Sequence, residues 1–182
     1  MEKTEKFTME VLEEKRKPNV FAMSSICPDG SHVVIWDFDV TKSPSNLSHI
    51  EKALKPTQRN FLLSTIYIME SRNGYNAICL DKLDKETVAS IKNLTPGDDK
   101  RHLEVGIKRS WFLRFGYDKN IVSQLSEGRF NHFTKSNPHR IALKNFFNYE
   151  IEKDRYFDDE TQIYLAAYWD WKRERRQING SK

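Results

Sequence analysis

The polar and apolar positions of this chain fall into short runs separated by turn-forming residues. Val20–Ile26 (VFAMSSI) and His32–Val40 (HVVIWDFDV) are β-branched and aromatic, and Cys27-Pro28-Asp29-Gly30 between them is a turn signal, so a hairpin is expected there. Ser43-Pro44-Ser45-Asn46 supplies helix-start chemistry, and Leu47, Ile50, Ala53 and Leu54 follow at helical spacing until Pro56 closes the helix. Phe61–Glu70 reads as a buried strand, Ser71–Gly74 as a tight turn carrying an Asn-Gly pair, and Tyr75–Leu80 as the returning strand. Asp84 opens a second helix with Leu83, Val88, Ile91 and Leu94 along its apolar side and Thr95-Pro96-Gly97 as its stop. After a polar loop at 98–102, Val105–Tyr117 reads as one more strand with a bend at Ser110.

The order strand, helix, strand, strand, helix, strand over 32–118 predicts an α+β fold. It is that of a ferredoxin-like or RRM-like palm, a four-stranded antiparallel sheet with both helices on one face and the other face open. Residues 1–19 are expected as an N-terminal arm or short helix anchored by Phe7, Val11 and Leu12, with 20–119 as the palm-like core. Residues 120–182 are expected as a helical C-terminal addition packed on it. There Asn120–Leu125 begins a helix, and Ile141–Ile151 and Thr161–Gln177 carry helical periodicity. Asp158 and Asp159 suit the N-terminus of the last helix, and Lys172, Arg173, Arg175 and Arg176 its C-terminus.

Composition narrows the function classes. At 182 residues with 38% hydrophobic and 31% charged side chains, the chain suits one domain with a real core and a very polar surface. Thirty basic against twenty-six acidic residues leave +4, a mild lean toward anionic partners. Cys27 and Cys79 are far apart and offer neither metal-ligand spacing nor a disulfide framework. With no apolar run of signal-peptide or membrane-span length, a cytoplasmic protein without a membrane partner is expected. The histidines at 32, 49, 102, 132 and 139 form neither His-x-His nor HExxH, and there is no phosphate-binding GxxxxGK[ST] loop and no GxSxG elbow.

The chemistry concentrates on His32–Val40. Alternate strand residues share a face, so Asp37 and Asp39 stand side by side, about 6–7 Å apart, with Trp36 and Phe38 on the other side. Two such carboxylates suit a hard cation, Mg²⁺ or Mn²⁺; the plainer alternative is a strand end whose acids face water. Arg114 shares a strand face with Phe112, where it either grips a phosphate or pairs with Asp37 or Asp39. Tyr75 and Phe112 are base-stacking surfaces if exposed and core otherwise. Lys108 and Arg109, with Arg129, His132, Lys135, His139 and Arg140 of a basic and aromatic stretch, are candidates for a phosphate backbone.

Three short motifs resemble the archaeo-eukaryotic primase-polymerase superfamily. They are the run Val33-Val-Ile-Trp-Asp37-Phe-Asp39, the hairpin return Ser71-Arg-Asn-Gly-Tyr-Asn76, and the strand end Arg114-Phe-Gly-Tyr-Asp118, together spanning about half of the chain. The resemblance implies that Asp37 and Asp39 bind the metal, that the residue after Gly-Tyr contacts the incoming triphosphate, and that a further acid completes the site. Asp118 is the first candidate for that acid, with Glu104 and Asp81 behind it. Asn76 stands where the family has histidine, and an amide hydrogen-bonds a phosphate without carrying positive charge. What is implied is a primase-like replication protein, a metal-dependent nucleotidyltransferase. It would use nucleoside triphosphates and a single-stranded DNA or RNA template, and work within a larger replication complex. Two other readings stay open: a non-catalytic single-stranded nucleic-acid-binding module on the same sheet, and a metal-dependent nuclease using Asp37, Asp39 and Glu70.

Overall fold

A computed structural model describes residues 4–7, 21–71, 73–114, 120–126 and 133–167. In chain order the elements are β1 (Thr4–Phe7), β2 (Phe21–Ser24), β3 (His32–Phe38), α1 (Pro44–Asn60), β4 (Ile66–Ser71), β5 (Gly74–Leu83), α2 (Lys85–Leu94), α3 (Lys100–Lys108), β6 (Phe112–Arg114), β7 (Ile121–Leu125), α4 (Asn137–Phe147) and β8 (Ile163–Ala167). Hydrogen bonds sort the strands into two antiparallel sheets, β1-β8-β2-β6 and β3-β5-β4-β7, so the fold is mixed α+β with four helices among the described residues.

The stretch β3-α1-β4-β5-α2 follows the order read from the polarity pattern, with β5 between β3 and β4. The fourth strand does not: β7 lies on the outer edge of β4, and the described part of Val105–Tyr117 is not one strand. Its first part is the end of α3, and Phe112–Arg114 pairs with β2 in the other sheet. Leu103, Val105 and Ile107 alternate as a strand would, yet Leu103 and Gly106, three apart, are the buried pair. Trp111 lies so close over Gly106 that a Cβ there would be 2.0 Å from the indole Nε1. Asp99 caps this helix by accepting from the Arg101 N–H at 3.0 Å.

α1 starts as expected, with the Ser43 hydroxyl accepting from the Asn46 N–H at 3.1 Å. It does not end at Pro56. The proline is exposed, while Thr57 and Gln58 beyond it are buried, and Gln58 Nε2 donates to the Ser64 and Leu125 carbonyls. Packing therefore carries the helix through. In the β4-β5 hairpin Ser71 pairs with Gly74, so Gly74 already belongs to the strand. It is needed for close approach: a Cβ at 74 would sit 2.3 Å from the Phe38 carbonyl oxygen.

Trp36 and Phe38 do pack under the helices. Trp36 Nε1 donates to Thr95 Oγ1 just past α2, and Thr57 Oγ1 of α1 lies 3.3 Å from the same hydroxyl. The opposite face is not open. Ile35, Met69 and Ile78 have no exposure, and one core joins them to Met23, Leu113, Ile163 and Leu165 of the second sheet. Tyr149, beyond α4, stands edge-on to Tyr67 with ring centroids 5.7 Å apart. Continuous apolar runs such as Val33–Trp36 and Ala77–Leu80 mark strands buried on both faces, which alternation alone does not reveal.

Among the described residues after 120 the expected helical addition is not what is seen: β7 joins one sheet and β8 the other, and α4 is the helix between them. The helix expected from Thr161 begins as β8, and residues from 168 onward lie outside the described ones. Asp158 does serve a helix N-terminus, but that of α4, where it accepts from the Asn137 N–H at 3.0 Å. Part of the expected N-terminal arm is β1, paired with β8. The 27–30 turn exists, with Gly30 at φ +85°, but beyond the Ile26–His32 bridge its two strands enter different sheets.

Candidate functional site

Because β3 is an edge strand, its outward backbone groups need partners from elsewhere. The last turn of α2 and the loop between α2 and α3 supply them. Lys92 Nζ donates to the Ile35 carbonyl, the Asp37 N–H donates to Asp98 Oδ1 at 2.9 Å, and the Asp99 N–H donates to the Asp37 carbonyl at 2.8 Å. Lys92 also pairs with Asp98 Oδ2 at 2.8 Å, and neither side chain reaches solvent. Burial pushes the Asp98 carboxyl up and the Lys92 ammonium down, while their ion pair opposes both shifts. Asp37 is thus clamped through its backbone by a loop that is itself anchored by a buried charge pair.

The Asp37 side chain is half-buried and lies opposite Asn76 in the β3-β5 register. Asn76 Nδ2 donates to Asp37 Oδ1 at 2.8 Å and to the Trp36 carbonyl at 3.3 Å. Asp39 is not its strand neighbour. The strand ends at Phe38, the Val40 N–H turns back to the Phe38 carbonyl at 3.0 Å, and Asp39 projects exposed from that turn. Glu70 pairs with Tyr75 in the row of Phe38, on the face opposite Asp37. Asp37 and Asp39 remain hard oxygen donors, and Mg²⁺ is commonly held by one or two carboxylates together with substrate phosphates. Among the described residues no group of three or more His, Cys, Asp or Glu side chains converges as a metal cage would.

Several residues expected to contact nucleic acid have partners within the fold. Tyr75 is 2% exposed, and its hydroxyl donates to the Ser43 carbonyl and accepts from the Ser43 N–H, fastening the start of α1. Lys135 is buried against Asp154 at 3.0 Å, with the rings of Tyr156 and Phe157 at 5.7 and 5.4 Å. Arg140 donates to Asn137 Oδ1 and the Ile151 carbonyl, each at 2.9 Å, and covers Phe157. The reason is common to both: residue 135 bridges to Asp81 and to Phe157, so this segment threads the fold rather than looping over it. His139 is fully buried. Its Nε2 faces the Ser24 carbonyl at 2.7 Å and must donate, so Nδ1 accepts from the Ser136 hydroxyl at 2.6 Å. Burial holds this neutral ring down at about 4.

Arg114 is exposed but belongs to the other sheet, so it does not share a strand face with the acids. Lys108 and Arg109 are exposed at the end of α3, as is Glu104 within it. Asp81 is buried and accepts from the Ser64 N–H at 2.7 Å. Asp118, Arg129 and His132 lie outside the described residues. Both cysteines are buried, and burial raises the Cys27 thiol to about 11 and Cys79 upward as well, which suits neither to nucleophilic work. Lys92 and Asp98 were missed by sequence reasoning. The signal was a lysine four residues after Val88 on the buried stripe of α2, while Leu94, expected on that stripe, is 63% exposed. No helix among the described residues is long and apolar enough to cross a membrane. No protein-family model, curated protein or solved structure matches the chain.

Proposed function

We propose that this chain is a primase-like replication protein that transfers nucleotides onto a strand copied from a single-stranded DNA or RNA template. In this reading β3-α1-β4-β5-α2 is a palm, with β7 as its fourth strand on the far edge. Asp37 and Asp39 hold Mg²⁺ or Mn²⁺, Asn76 lies beside the triphosphate, and Asp118 is the third acid. The observation that carries it is the contact between Asp37 and Asn76. They are 39 residues apart in the chain and 2.8 Å apart in space, and they stand at the two positions whose motifs resemble the primase-polymerase pattern. Asp37 and Asp39 would hold the divalent ion, whose charge would stabilise the attacking and leaving oxygens of a phosphoryl displacement. The chain's own part is orientation: Asn76 fixes the Asp37 carboxylate, and Asp98 and Asp99 fix its backbone. Asn76 carries no charge, so compensation of the triphosphate falls to the metal and to other cations.

The competing readings have less support. A sheet-face binding module requires exposed aromatic platforms, and Tyr75 is buried on a face covered by helices. A nuclease built on Asp37, Asp39 and Glu70 requires them together, and Glu70 is on the far side of the sheet from Asp37. Arg114, in the other sheet, has no part in the proposed centre. The test is extension of a labelled primer on a single-stranded template with nucleotides and Mn²⁺ or Mg²⁺. The wild type is expected to extend the primer, and the Asp37→Asn, Asp39→Asn double variant to fall to background. No extension by the wild type, with the primer left intact, rules the transferase out.

A further inference from the structure

α3 leaves the acid end of β3 directly, since its cap residue Asp99 donates a backbone N–H to the Asp37 carbonyl. The helix buries Leu103 and Gly106, so its opposite side faces solvent; that side is centred on Arg101, Glu104 and Lys108 and flanked by Lys100 and Val105. With Arg109 just after it, the exposed surface carries four cations against the single carboxylate of Glu104. Val105, 47% exposed, lies beside Arg101 and Lys108, and Ile107, 50% exposed, lies on the other flank beside Lys100 and Glu104. We propose that this face of α3 is where a single-stranded nucleic acid lies, with its phosphates along Arg101 and Lys108 and the strand resting against Val105. A row of cations that tracks the phosphate backbone is what single-strand binders present, and the four cations of this face match a polyanion. Arg101 and Lys108 lie on one stripe, about 10 Å apart along the axis. The direction of the strand, from Lys108 toward Asp37, rests on the transferase reading; the surface itself does not.

The test reads fluorescence anisotropy of a labelled oligothymidylate against salt. Arg101→Gln with Lys108→Gln is expected to weaken binding several-fold and to flatten the salt dependence by roughly 0.7 in slope for each phosphate contact removed. Glu104→Gln is expected to tighten binding, because it removes the one repulsive charge from the face. Opposite signs at exposed positions of one helix cannot come from misfolding. Unchanged affinity in the paired variant, no tightening with Glu104→Gln, or equal displacement by polyglutamate of matched charge overturns the proposal. Primer extension by the same proteins separates the two ideas. A wild type that extends while the variants bind unchanged overturns the α3 surface alone, and variants that shift as expected without any extension overturn the transferase alone.

Discussion

Lys92 occupies a place where the period of α2 calls for an apolar side chain, since Val88, Ile91, Lys92 and Thr95 form the buried stripe. A buried ammonium is tolerated only when its hydrogens are used. Here the Ile35 carbonyl, Asp98 Oδ2 at 2.8 Å and His102 Nδ1 at 3.3 Å surround it, with the Trp111 ring 6.0 Å away. Removing one partner leaves the other charge stranded. Lys92→Met is expected to cost about 3–5 kcal/mol in urea unfolding, and Lys92→Met combined with Asp98→Asn to cost clearly less, because no buried charge is then left alone. Equal losses in the single and double variants would show that the pair contributes packing and not charge. Asp98 also holds the Asp37 N–H, so the same substitution loosens the end of β3 that carries the proposed metal ligands.

Among the elements, α1 shows how local rules yield to packing and where they still exact a cost. Its end is a Schellman turn: the Leu63 N–H returns to the Gln58 carbonyl at 2.9 Å and the Leu62 N–H to Arg59 at 3.4 Å. Position 62 therefore takes φ +53°, where glycine is usual, yet it holds a leucine that is 63% exposed. Left-handed backbone costs a β-carbon-bearing residue roughly 1–2 kcal/mol, part of which glycine returns through the unfolded chain. Leu62→Gly is accordingly expected to stabilise the protein by about 0.5–1 kcal/mol, read as a higher urea midpoint at unchanged slope. A lower midpoint would mean that the leucine side chain makes a contact worth more than the strain. α3 makes the complementary point, because its outward Val105 and Ile107 imitate a strand while Leu103 and Gly106 fix it as a helix under Trp111.

For the whole molecule, the two sheets are joined through a buried polar seam. Ser136, at the start of α4, donates its N–H to Leu80 of β5, and His139 donates to Ser24 of β2. His32 at the corner is hydrogen-bonded through Nδ1 to the Ser25 hydroxyl, which itself accepts from the Trp111 backbone N–H. Burial brings His139 and His32 each down to about 4, against an ordinary 6.5. Between those values the unfolded chain takes up a proton that the folded one refuses, so stability is full above about 6.5 and drains as pH falls toward 4. His139 alone is expected to make the protein about 2 kcal/mol less stable at pH 5 than at pH 7. Burial would raise Asp29, but its bonds to Lys82 and Ser31 prevail and hold it at about 2, so its contribution is lost only in stronger acid. Urea unfolding of the wild type and of His139→Gln at both pH values checks this. A pH-dependent loss of the same size in the variant would show that His139 titrates normally.

What the sequence determined by itself was local. The caps at Ser43 and Asp84, the Asn73-Gly74 hairpin and the placement of β3, β5 and α2 follow from turn chemistry and short-range period, which act within a few residues. The resemblance put Asp37 and Asn76 in one site, on the metal and by the triphosphate, while the contact between their side chains came from the β3-β5 register. Tertiary structure decided the rest. Val33–Trp36 reads the same whether one face of a sheet is covered or both, so only the second sheet showed that the expected open face is core. Lys135 and Arg140 look like surface cations in sequence, and their burial depends on Asp154, Ile151 and Phe157, which fold back on them from later in the chain. The strand identity of Ile121–Leu125 and Ile163–Ala167 likewise rests on finding a free edge at β4 and a place between β1 and β2. Partners that far away in the chain leave no mark on the local pattern.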